Sequence, residues 1–391
     1  MDTTRYLIVG GGLTADAACK GIRKRDRDGR ILVVGDEPHP PYLRPPLSKA
    51  LWKGDDESTI WRETAELGVE LRLGRRIVEL DLDRREARDD EGEAYGYDKL
   101  LLATGGRPRR LPFGGDAVIY FRTLDDYRSL RALADTGARF CVIGGGFIGS
   151  EIAAALALND CPVTMVFPEV GIGARIFPAQ LSAALNDYYR ERGVEVLTEA
   201  SVTGIAARGQ GARVTLADGR VIEADAIVAG IGIEPNVELA ADAGLPVTNG
   251  IVVDAYGCVG GRENVFAAGD VARFPVASLA IDMRVEHEDH ARSHGRQVGA
   301  NMAGAGAPYE HLPFFYSDLF DLGYEAVGEL DSRLETVSDW KELAGEATFT
   351  YVDRERRPRG VLVWNRFGQL DAARELILTA EPIAMEVTHV H

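Results

Sequence analysis

The chain has 391 residues, of which 46% are hydrophobic and 27% are charged, a composition typical of a globular protein with two or three domain cores. Its formal net charge of −17 disfavours nucleic-acid binding and means that a phosphate-bearing ligand must be held by local geometry. A strand pattern begins at Arg5, which leaves no room for a signal peptide, and no apolar run is long enough to span a membrane. We therefore expect a cytoplasmic protein with no membrane span and no nucleic-acid partner.

The first unit in chain order, residues 5–37, reads as an apolar strand, a glycine turn, an Ala-rich helix and a second apolar strand that ends in an acid. Gly10, Gly12 and Ala15 occupy the positions of a G-x-G-x-x-G/A pattern. Glycines there let backbone N–H groups approach a pyrophosphate, and a small third residue lets the helix pack on its strand. Asp36 stands where a carboxylate accepts hydrogen bonds from a ribose. The pattern predicts a dinucleotide site.

A proline-rich segment follows, "PYLRPPLSK" at 41–49. Pro45 and Pro46 fix φ and remove two N–H donors, so the segment predicts a rigid loop that leads into a helix starting near Leu47. Taken alone, Lys49 would be an arbitrary surface charge.

The same strand–turn–helix–strand unit recurs at 139–169, where Gly144, Gly146 and Gly149 complete the glycine pattern. One copy alone could be a steric turn, but two copies in the same context favour two dinucleotide sites. A hydride relay between a nicotinamide and a resident flavin would need both. Glu169 ends the second unit, where a carboxylate binds both ribose hydroxyls and repels a 2′-phosphate, so we expect NADH rather than NADPH. Arg175 would offset part of this preference.

Two later segments admit alternatives. Asp270 ends an apolar strand and could be a helix N-cap or part of the flavin site. His287, His290 and His294 share one face of a predicted helix and, with Glu286, match a metal-binding pattern. No cysteine accompanies them and hydride transfer to a flavin needs no metal, so we predict no metal and interpret His290 and His294 as packed or solvated residues.

Several segments together resemble the two-dinucleotide flavoprotein reductases. They are the glycine loop at 10–15, "ATGGRPR" at 103–109, "GGGFIGSE" at 144–151, "GIGIEPN" at 230–236 and "AAGDVA" at 267–272. A second set is similar to the apoptosis-inducing factor and the NADH-dependent ferredoxin reductases of bacterial oxygenase systems. It consists of "PYLRPPLSK", "VEHEDHA" at 285–291, "YSDL" at 316–319 and "GYEAVGE" at 323–329.

The resemblance, which covers about residues 5–330, implies an α/β fold with two Rossmann-like dinucleotide-binding domains and a C-terminal α+β domain. The FAD domain, at 1–108 and 243–315, would be split around an NAD domain at 109–242, with the C-terminal domain at 316–391. In that last domain the sequence at 346–365 predicts two strands around a charged hairpin, followed by a helix near 368–380. We expect this domain to cover the exposed face of the flavin.

The resemblance also implies the site residues. Asp36 would bind the FAD ribose, Arg44 and Arg107 its phosphates and neighbouring polar groups, and Asp270 its ribityl chain. The full FAD set is Gly10, Gly12, Leu13, Ala15, Asp36, Arg44, Lys49, Arg107, Asp270, His287 and Tyr316. The NAD set is Gly144, Gly146, Phe147, Ile148, Gly149, Glu151, Glu169, Arg175, Gly232 and Glu325. The catalytic set is Lys49, Glu151, Glu286, His287 and Tyr316.

Glu151 has two interpretations. Two residues after Gly149, it is expected in the first turn of its helix, where a carboxylate compensates the helix dipole. The resemblance instead pairs it with Lys49 beside the flavin N5, where a cation stabilises reduced flavin and a carboxylate keeps the lysine charged and aimed. We favour the ion pair.

The predicted activity is that of an FAD-dependent oxidoreductase that takes hydride from NADH and passes electrons to a separate acceptor: a ferredoxin-type iron–sulfur protein, a quinone or dioxygen. An internal disulfide acceptor is disfavoured because the four cysteines are scattered and Ser48 stands where some relatives that use cysteine chemistry need a thiol. The alternative is an NADH-responsive sensor with slow turnover that signals through a long-lived charge-transfer state and a protein partner. A homodimer is left open.

Two arginine-rich segments, 23–30 and 354–359, are most simply solvated surface, and docking of an acidic ferredoxin is the sharper alternative. The apoptosis-inducing factor also has long insertions and a DNA-binding role. This chain lacks the insertions and is acidic, so that role is not expected here.

Overall fold

The computed structural model describes residues 3–209 and 211–383. Its α-helices are α1 (Leu13–Arg23), α2 (Leu124–Ala134), α3 (Phe147–Leu158), α4 (Ala179–Glu191), α5 (Glu238–Asp242), α6 (Glu288–Met302) and α7 (Leu370–Thr379). Its first strands are β1 (Thr3–Val9), β2 (Ile31–Gly35), β3 (Glu70–Leu73), β4 (Ile77–Asp81), β5 (Glu86–Asp89), β6 (Ala94–Leu102), β7 (Gly106–Pro108), β8 (Val118–Tyr120), β9 (Phe140–Ile143), β10 (Val163–Val166), β11 (Val194–Leu197), β12 (Val202–Arg208), β13 (Gly211–Leu216) and β14 (Val221–Ala224). The later strands are β15 (Ala226–Ala229), β16 (Ile233–Pro235), β17 (Val247–Thr248), β18 (Gly250–Val252), β19 (Cys258–Val259), β20 (Arg262–Ala267), β21 (Ala272–Val276), β22 (Ile281–Met283), β23 (Phe314–Leu319), β24 (Leu322–Gly328), β25 (Glu335–Ser338), β26 (Ala347–Val352) and β27 (Pro358–Trp364).

The chain divides into two compact units. The first unit comprises the described residues of Met1–Leu43, Glu57–Arg107 and Glu234–Pro313, and the second those of Arg44–Asp56, Pro108–Ile233 and Phe314–His391. This division differs from the predicted domain bounds, because residues 44–56 and the C-terminal segment group with the second glycine motif. The contacts of Ser48, Lys49 and Ser317 with Glu151 account for that grouping.

The sheet of the first unit has the order β19-β20-β6-β1-β2-β3, with the antiparallel β4 and β5 joined to it through β6. β1 pairs in parallel with both β2 and β6, and α1 makes the crossover from β1 to β2 that a parallel pair needs. A four-stranded sheet, β17-β18-β21-β22, completes this unit. The predicted strand–turn–helix–strand unit at 5–37 is therefore present.

Helices α1 and α6 pack closely in the first unit because glycines lie at their crossing. A Cβ at Gly21 would lie 2.1 Å from the carbonyl oxygen of Arg296, and one at Gly299 would lie 2.2 Å from that of Ala18. The apolar face of this crossing is buried with Ile22, Val298 and the strands beneath. The backbone contact fixes where the N-terminus of α1 points relative to α6.

In the second unit, the five strands β11-β10-β9-β15-β8 form a parallel sheet, and β9, α3 and β10 are the second strand–turn–helix–strand unit. A three-stranded antiparallel sheet, β12-β13-β14, and a five-stranded antiparallel sheet, β23-β24-β27-β26-β25, accompany it. β26 and β27 are the two predicted strands around a charged hairpin, and α7 is the predicted helix near 368–380. The α/β class with an α+β C-terminal part is confirmed.

The proline-rich segment differs from its prediction. It forms two consecutive 3₁₀ turns, Pro45–Ser48 and Ala50–Lys53, with Lys49 between them, rather than an α-helix from Leu47. The two prolines donate no backbone hydrogen bonds, and Gly54, at φ 101°, ends the second turn in the left-handed region. In the part of the chain that the structure describes, no helix combines the length and apolar character needed to cross a membrane.

We predict that Gly149→Ala destabilises the protein although alanine favours helices. A Cβ at Gly149 in α3 would lie 1.9 Å from the carbonyl oxygen of Gly144, so strand and helix must move apart, at a cost of about 1–3 kcal/mol in the free energy of unfolding. Urea denaturation would measure it. Gly146→Ala is the matched control, because a Cβ there meets no atom within 4 Å. Equal stability of both variants would contradict the close approach.

Candidate active site

The first glycine turn leaves the N-terminus of α1 open. Gly10 has φ +116°, and a Cβ there would lie 2.2 Å from the carbonyl oxygen of Ala103, so only glycine fits. At Gly12, the N-cap of α1, a Cβ would meet nothing within 4 Å, and no side chain caps the helix. Open space before uncapped N–H groups is the environment that a pyrophosphate requires. This geometry is compatible with the predicted FAD phosphate site, whose occupancy stays a prediction. Leu13 is the first residue of α1, and Ala15 is fully buried.

The second glycine turn repeats this geometry. Gly144 has φ +113° with its Cβ position 2.4 Å from the carbonyl oxygen of Gly230, whereas a Cβ at Gly146 meets nothing within 4 Å. Gly146 caps α3 without a side-chain hydrogen bond. The first residues of α3, Phe147 and Ile148, stay partly exposed beside this opening. The second cradle therefore has the open space and uncapped N–H groups that a pyrophosphate requires, and binding there stays a prediction.

The two acids predicted to bind ribose lie after the expected strands. Asp36 directly follows β2 and is exposed. Glu169 lies three residues beyond β10, and its Oε1 accepts hydrogen bonds from Arg175 Nε at 2.9 Å and Nη2 at 2.7 Å. Arg175 is therefore paired with Glu169, the acid whose preference for NADH it was expected to reduce. The ribose contacts stay predictions.

Lys49 and Glu151 form a buried ion pair. Lys49 Nζ lies 2.6 Å from Glu151 Oε1, and the two side chains are only 10% and 4% exposed. α3 begins at Phe147, so Glu151 lies beyond the first turn and is buried, and its predicted place in the first turn is wrong. Compensation of the helix dipole is therefore not its role. Contact of this pair with the flavin stays a prediction.

Two serines that the sequence analysis did not assign complete this cluster. Ser48 Oγ donates to Glu151 Oε2 at 2.5 Å, and Ser317 Oγ donates to Oε1 at 2.6 Å. Ser48 directly precedes Lys49, and Ser317 directly follows Tyr316, so adjacency to predicted site residues was the available signal. Pairing of either serine with Glu151 is a tertiary contact that no spacing indicates.

The predicted residues of the C-terminal sheet lie on one strand pair. Tyr316 on β23 is the register partner of Glu325 on β24. Lys49 Nζ lies 5.4 Å from the centre of the Tyr316 ring, within cation–π range. Glu325 Oε2 accepts a hydrogen bond from the Gly368 backbone N–H at 3.2 Å. Tyr316 thus contacts the buried lysine, and its place in the FAD site stays a prediction.

Three predicted arginine and glycine positions have structural contacts of their own. Arg44 Nη1 donates to the carbonyl oxygen of Arg122 at 2.8 Å. Gly232, at φ +94°, accepts at its carbonyl oxygen from the Arg109 backbone N–H at 2.9 Å. Arg107 is bound by carboxylates of the 234–238 segment, with Nε 2.8 Å from Glu234 Oε1. Arg107 therefore has its charge balanced within the protein, and its phosphate contact remains a prediction.

A short 3₁₀ turn, Gly269–Val271, contains the predicted flavin residue Asp270. Asp270 lies inside this turn, so its interpretation as a helix N-cap is wrong. Arg284 Nη1 donates to the Asp270 carbonyl oxygen at 3.2 Å and lies 2.8 Å from Glu286 Oε1. His287 is the N-cap residue of α6, and burial lowers its pKa to about 4 although the carboxylates of Asp270 and Asp289 oppose this shift.

His290 and His294 are packed residues of α6. Both are fully buried, and the His290 ring stacks on Phe274 with centroids 4.4 Å apart. His290 Nδ1 lies 3.1 Å from the Tyr309 hydroxyl, and His294 Nδ1 accepts from the Gly269 N–H at 3.4 Å. Burial lowers the pKa of His290 well below its ordinary value and that of His294 to about 3. Among the described residues, no group of three or more His, Cys, Asp or Glu could hold a metal ion.

Two of the cysteines are unreactive, and four arginines of the two arginine-rich segments already have partners. Burial raises the pKa of Cys19 and Cys141 to about 12, so these thiols stay protonated. Arg356, Arg357 and Arg359 are paired with acids, and Arg23 donates to four backbone carbonyls. These four arginines support loops or balance neighbouring acids, which weakens the interpretation of their segments as a docking surface.

Two family models match consecutive parts of the chain. Residues 4–295 match the family model described as pyridine nucleotide-disulphide oxidoreductase. Residues 298–359 match the model of the C-terminal domain of the mitochondrion-associated apoptosis-inducing factor.

Similar proteins cover almost the whole chain. The ferredoxin–NAD(+) reductase component of the anthranilate 1,2-dioxygenase system of Burkholderia cepacia is 35% identical over 96% of this chain and 95% of its own length. The mitochondrial apoptosis-inducing factor 1 of Dictyostelium discoideum is 32% identical, over 97% of this chain and 79% of its length. The solved covalent complex of putidaredoxin reductase with putidaredoxin contains a chain 31% identical, with a TM-score of 0.91 over 97% of this chain and 94% of its own.

We predict that the protein loses stability in acid because His294 is buried in its neutral form. The pKa of His294 is depressed to about 3 in the folded protein against about 6.5 unfolded, so below about pH 6.5 the unfolded state binds more protons. The contribution of His294 is full above that pH and falls by about 2 kcal/mol on acidification to about pH 5. Hydrogen exchange of α6 peptides measured across this range would detect it.

The matched variant is His294→Asn, which keeps an acceptor for the Gly269 N–H but does not titrate. We expect a shallower dependence of α6 protection on pH in this variant. An identical pH slope in both proteins would show that His294 does not contribute.

Proposed function

Because the chain belongs to the pyridine nucleotide-disulphide oxidoreductase family and is an FAD-dependent NAD(P)H oxidoreductase, we propose that it takes electrons from NADH and delivers them to a ferredoxin-type iron–sulfur protein. The observation that carries this proposal is the buried pair between Lys49 and Glu151, which lies on α3, the helix that begins at the second glycine cradle. A charged pair is costly to bury, so its presence beside a dinucleotide cradle supports a role in chemistry. Bound FAD would supply the chemistry that no side chain here offers, two-electron uptake from a nicotinamide followed by electron release to an acceptor.

The chain's own residues would divide the binding work between the two cradles. The uncapped N-terminus of α1 would hold the FAD pyrophosphate, with Asp36 on the ribose. The N-terminus of α3 would hold the NADH pyrophosphate, with Glu169 on the adenosine ribose. Backbone N–H donors at the N-termini of α1 and α3 would let a strongly acidic protein bind two anionic dinucleotides.

Lys49 would act as a fixed positive charge toward the flavin. Its ammonium is nearly excluded from water and held by Glu151, so its field is not screened as a surface lysine's would be. A cation of this kind stabilises negative charge that develops on reduction. Tyr316, whose ring lies 5.4 Å from the ammonium, would flank the same place.

The acceptor is proposed from chemistry and from relatives. The buried, protonated thiols of Cys19 and Cys141, and Ser48 in place of a cysteine, leave these positions without a reactive internal thiol. A relative that covers nearly the whole chain is the ferredoxin–NAD(+) reductase component of a dioxygenase system, and a similar solved chain is a reductase in complex with putidaredoxin. Both support a separate protein acceptor.

A slow NADH sensor is the second candidate. The match of residues 298–359 to the C-terminal domain of the apoptosis-inducing factor favours it, together with the likeness of nearly the whole chain to one such factor. The two candidates differ in turnover, because a reductase must be reoxidised by its acceptor as fast as NADH reduces it.

The proposed function predicts rapid reduction of the FAD-loaded protein by NADH and rapid reoxidation by a ferredoxin. Stopped-flow absorbance of the flavin would give both rates, with a quinone and dioxygen as the alternative acceptors. Preferential reoxidation by the quinone or by dioxygen would overturn the ferredoxin assignment. Reoxidation slower than one turnover per second with every acceptor would favour the sensor.

The contact between Glu169 and Arg175 predicts a change in nucleotide preference. Glu169→Ala removes the ribose acceptor and releases Arg175 to meet a 2′-phosphate, so we expect the ratio of NADPH to NADH efficiency to rise at least about tenfold. The rate of flavin reduction at several concentrations of each nucleotide measures this ratio.

The double variant Glu169→Ala/Arg175→Ala is the control, because it lacks both the repulsion and the released guanidinium. It should lose most of the gain for NADPH. If wild-type protein is already reduced faster by NADPH, the assignment of Glu169 is wrong.

A further inference from the structure

The carboxylate of Glu151 is more completely bound than an ion pair requires. Among the described residues, three donors reach it: Lys49 Nζ and Ser317 Oγ on Oε1, both at 2.6 Å, and Ser48 Oγ on Oε2 at 2.5 Å. Both serines are buried, at 5% exposure for Ser48 and 1% for Ser317. Hydrogen bonds therefore hold both oxygens of the Glu151 carboxylate.

The hydroxyl of Ser48 has one clearly preferred acceptor. A hydroxyl donates one proton, and the other acceptor near Ser48 Oγ, the carbonyl oxygen of Pro45, lies at 3.4 Å against 2.5 Å for Glu151. Hydrogen bonds to a charged acceptor are the shorter and stronger kind. The carboxylate is therefore the partner that the geometry selects for Ser48.

Tyrosines close the rest of the cluster without adding charge. Tyr189 and Tyr324 are fully buried, and burial together with the negative charge of Glu151 raises the pKa of both phenols well above the ordinary value. Ser317 is the register partner of Tyr324 on the neighbouring strand. Lys49 is thus the charge that balances Glu151, and the serines supply the remaining hydrogen bonds.

The donors come from separate parts of the chain. Ser48 ends the 3₁₀ turn that directly precedes Lys49, whereas Ser317 belongs to β23 of the C-terminal sheet. Glu151 is held on α3 between them. A shift of either segment would rotate the carboxylate and change where the ammonium of Lys49 is held.

We propose that Ser48 and Ser317 are positioning residues, which fix the orientation of the Glu151 carboxylate and through it aim the ammonium of Lys49. This inference rests on the proposed function and gives the C-terminal sheet a part in it: Ser317 connects that sheet to the lysine that acts on the flavin. With fewer donors on the carboxylate, Glu151 can rotate and Lys49 is held less firmly in its position.

The test uses the FAD-loaded protein with Ser48→Ala, Ser317→Ala and the double variant. The first readout is the rate at which an amine-specific reagent labels Lys49, followed by mass spectrometry, with the half-exposed Lys53 of the next turn as internal reference. Loss of one hydrogen bond to a charged group should raise the labelling of Lys49 about tenfold while that of Lys53 stays the same. The second readout is flavin reduction by NADH, which should slow by about the same factor and follow the labelling across the three variants.

Ser182→Ala is the matched control. Ser182 is a buried serine of the same unit, and its hydroxyl donates to the Ile172 carbonyl oxygen at 2.6 Å rather than to Glu151. It should change neither readout. Unchanged labelling of Lys49 in the double variant would overturn the inference, as would equal effects from Ser182→Ala. Labelling needs no NADH, so an effect on Lys49 in a protein that NADH does not reduce would refute the proposed function and leave the positioning role standing.

Discussion

A buried carboxylate, that of Glu151, is the constraint on which the second unit depends. Removing a carboxylate and an ammonium from water is unfavourable unless both are paired and their remaining hydrogen bonds are made. Lys49, Ser48 and Ser317 meet this requirement at 2.5–2.6 Å. The segment 44–56, helix α3 and strand β23 therefore belong to one compact unit although they are far apart in sequence.

The two phosphate cradles use their first two glycines in the same way and differ at the third position of the motif. In each, a first glycine at φ near +115° lets a neighbouring strand's carbonyl approach, and a second glycine leaves open space before an uncapped helix. The third position is Ala15 in the first cradle and Gly149 in the second, where the helix approaches its own turn so closely that no Cβ fits. The third position needs a small residue in both cradles. The distance between the helix and its turn decides whether alanine fits there or only glycine does.

Charge is distributed so that few ionic groups remain for chemistry. Arg107, Arg356, Arg357 and Arg359 are balanced by acids, and the buried histidines of α6 have lowered pKa values and stay neutral near pH 7. The Lys49–Glu151 and Arg175–Glu169 pairs adjoin a helix and a strand of the second glycine motif. Each pair is neutral as a whole, so the negative charge of a dinucleotide would be met mainly by the backbone donors of the helix N-termini.

Local sequence patterns were sufficient to predict the α/β class, the two glycine turns, the strands that end near Asp36 and Glu169, and the strand pair and helix of the C-terminal part. These features follow from local rules, since periodicity, turn residues and glycine spacing act over a few residues. The resemblance supplied the pairing of Lys49 with Glu151. Four features became visible only in the folded chain: Glu151 lies past the first turn of α3, Asp270 lies inside a turn, 3₁₀ turns replace the expected helix after Pro46, and Ser48 and Ser317 hold the carboxylate. The physical reason is that burial and hydrogen bonding join residues more than a hundred positions apart, and local sequence does not encode which distant donor will satisfy a buried acceptor.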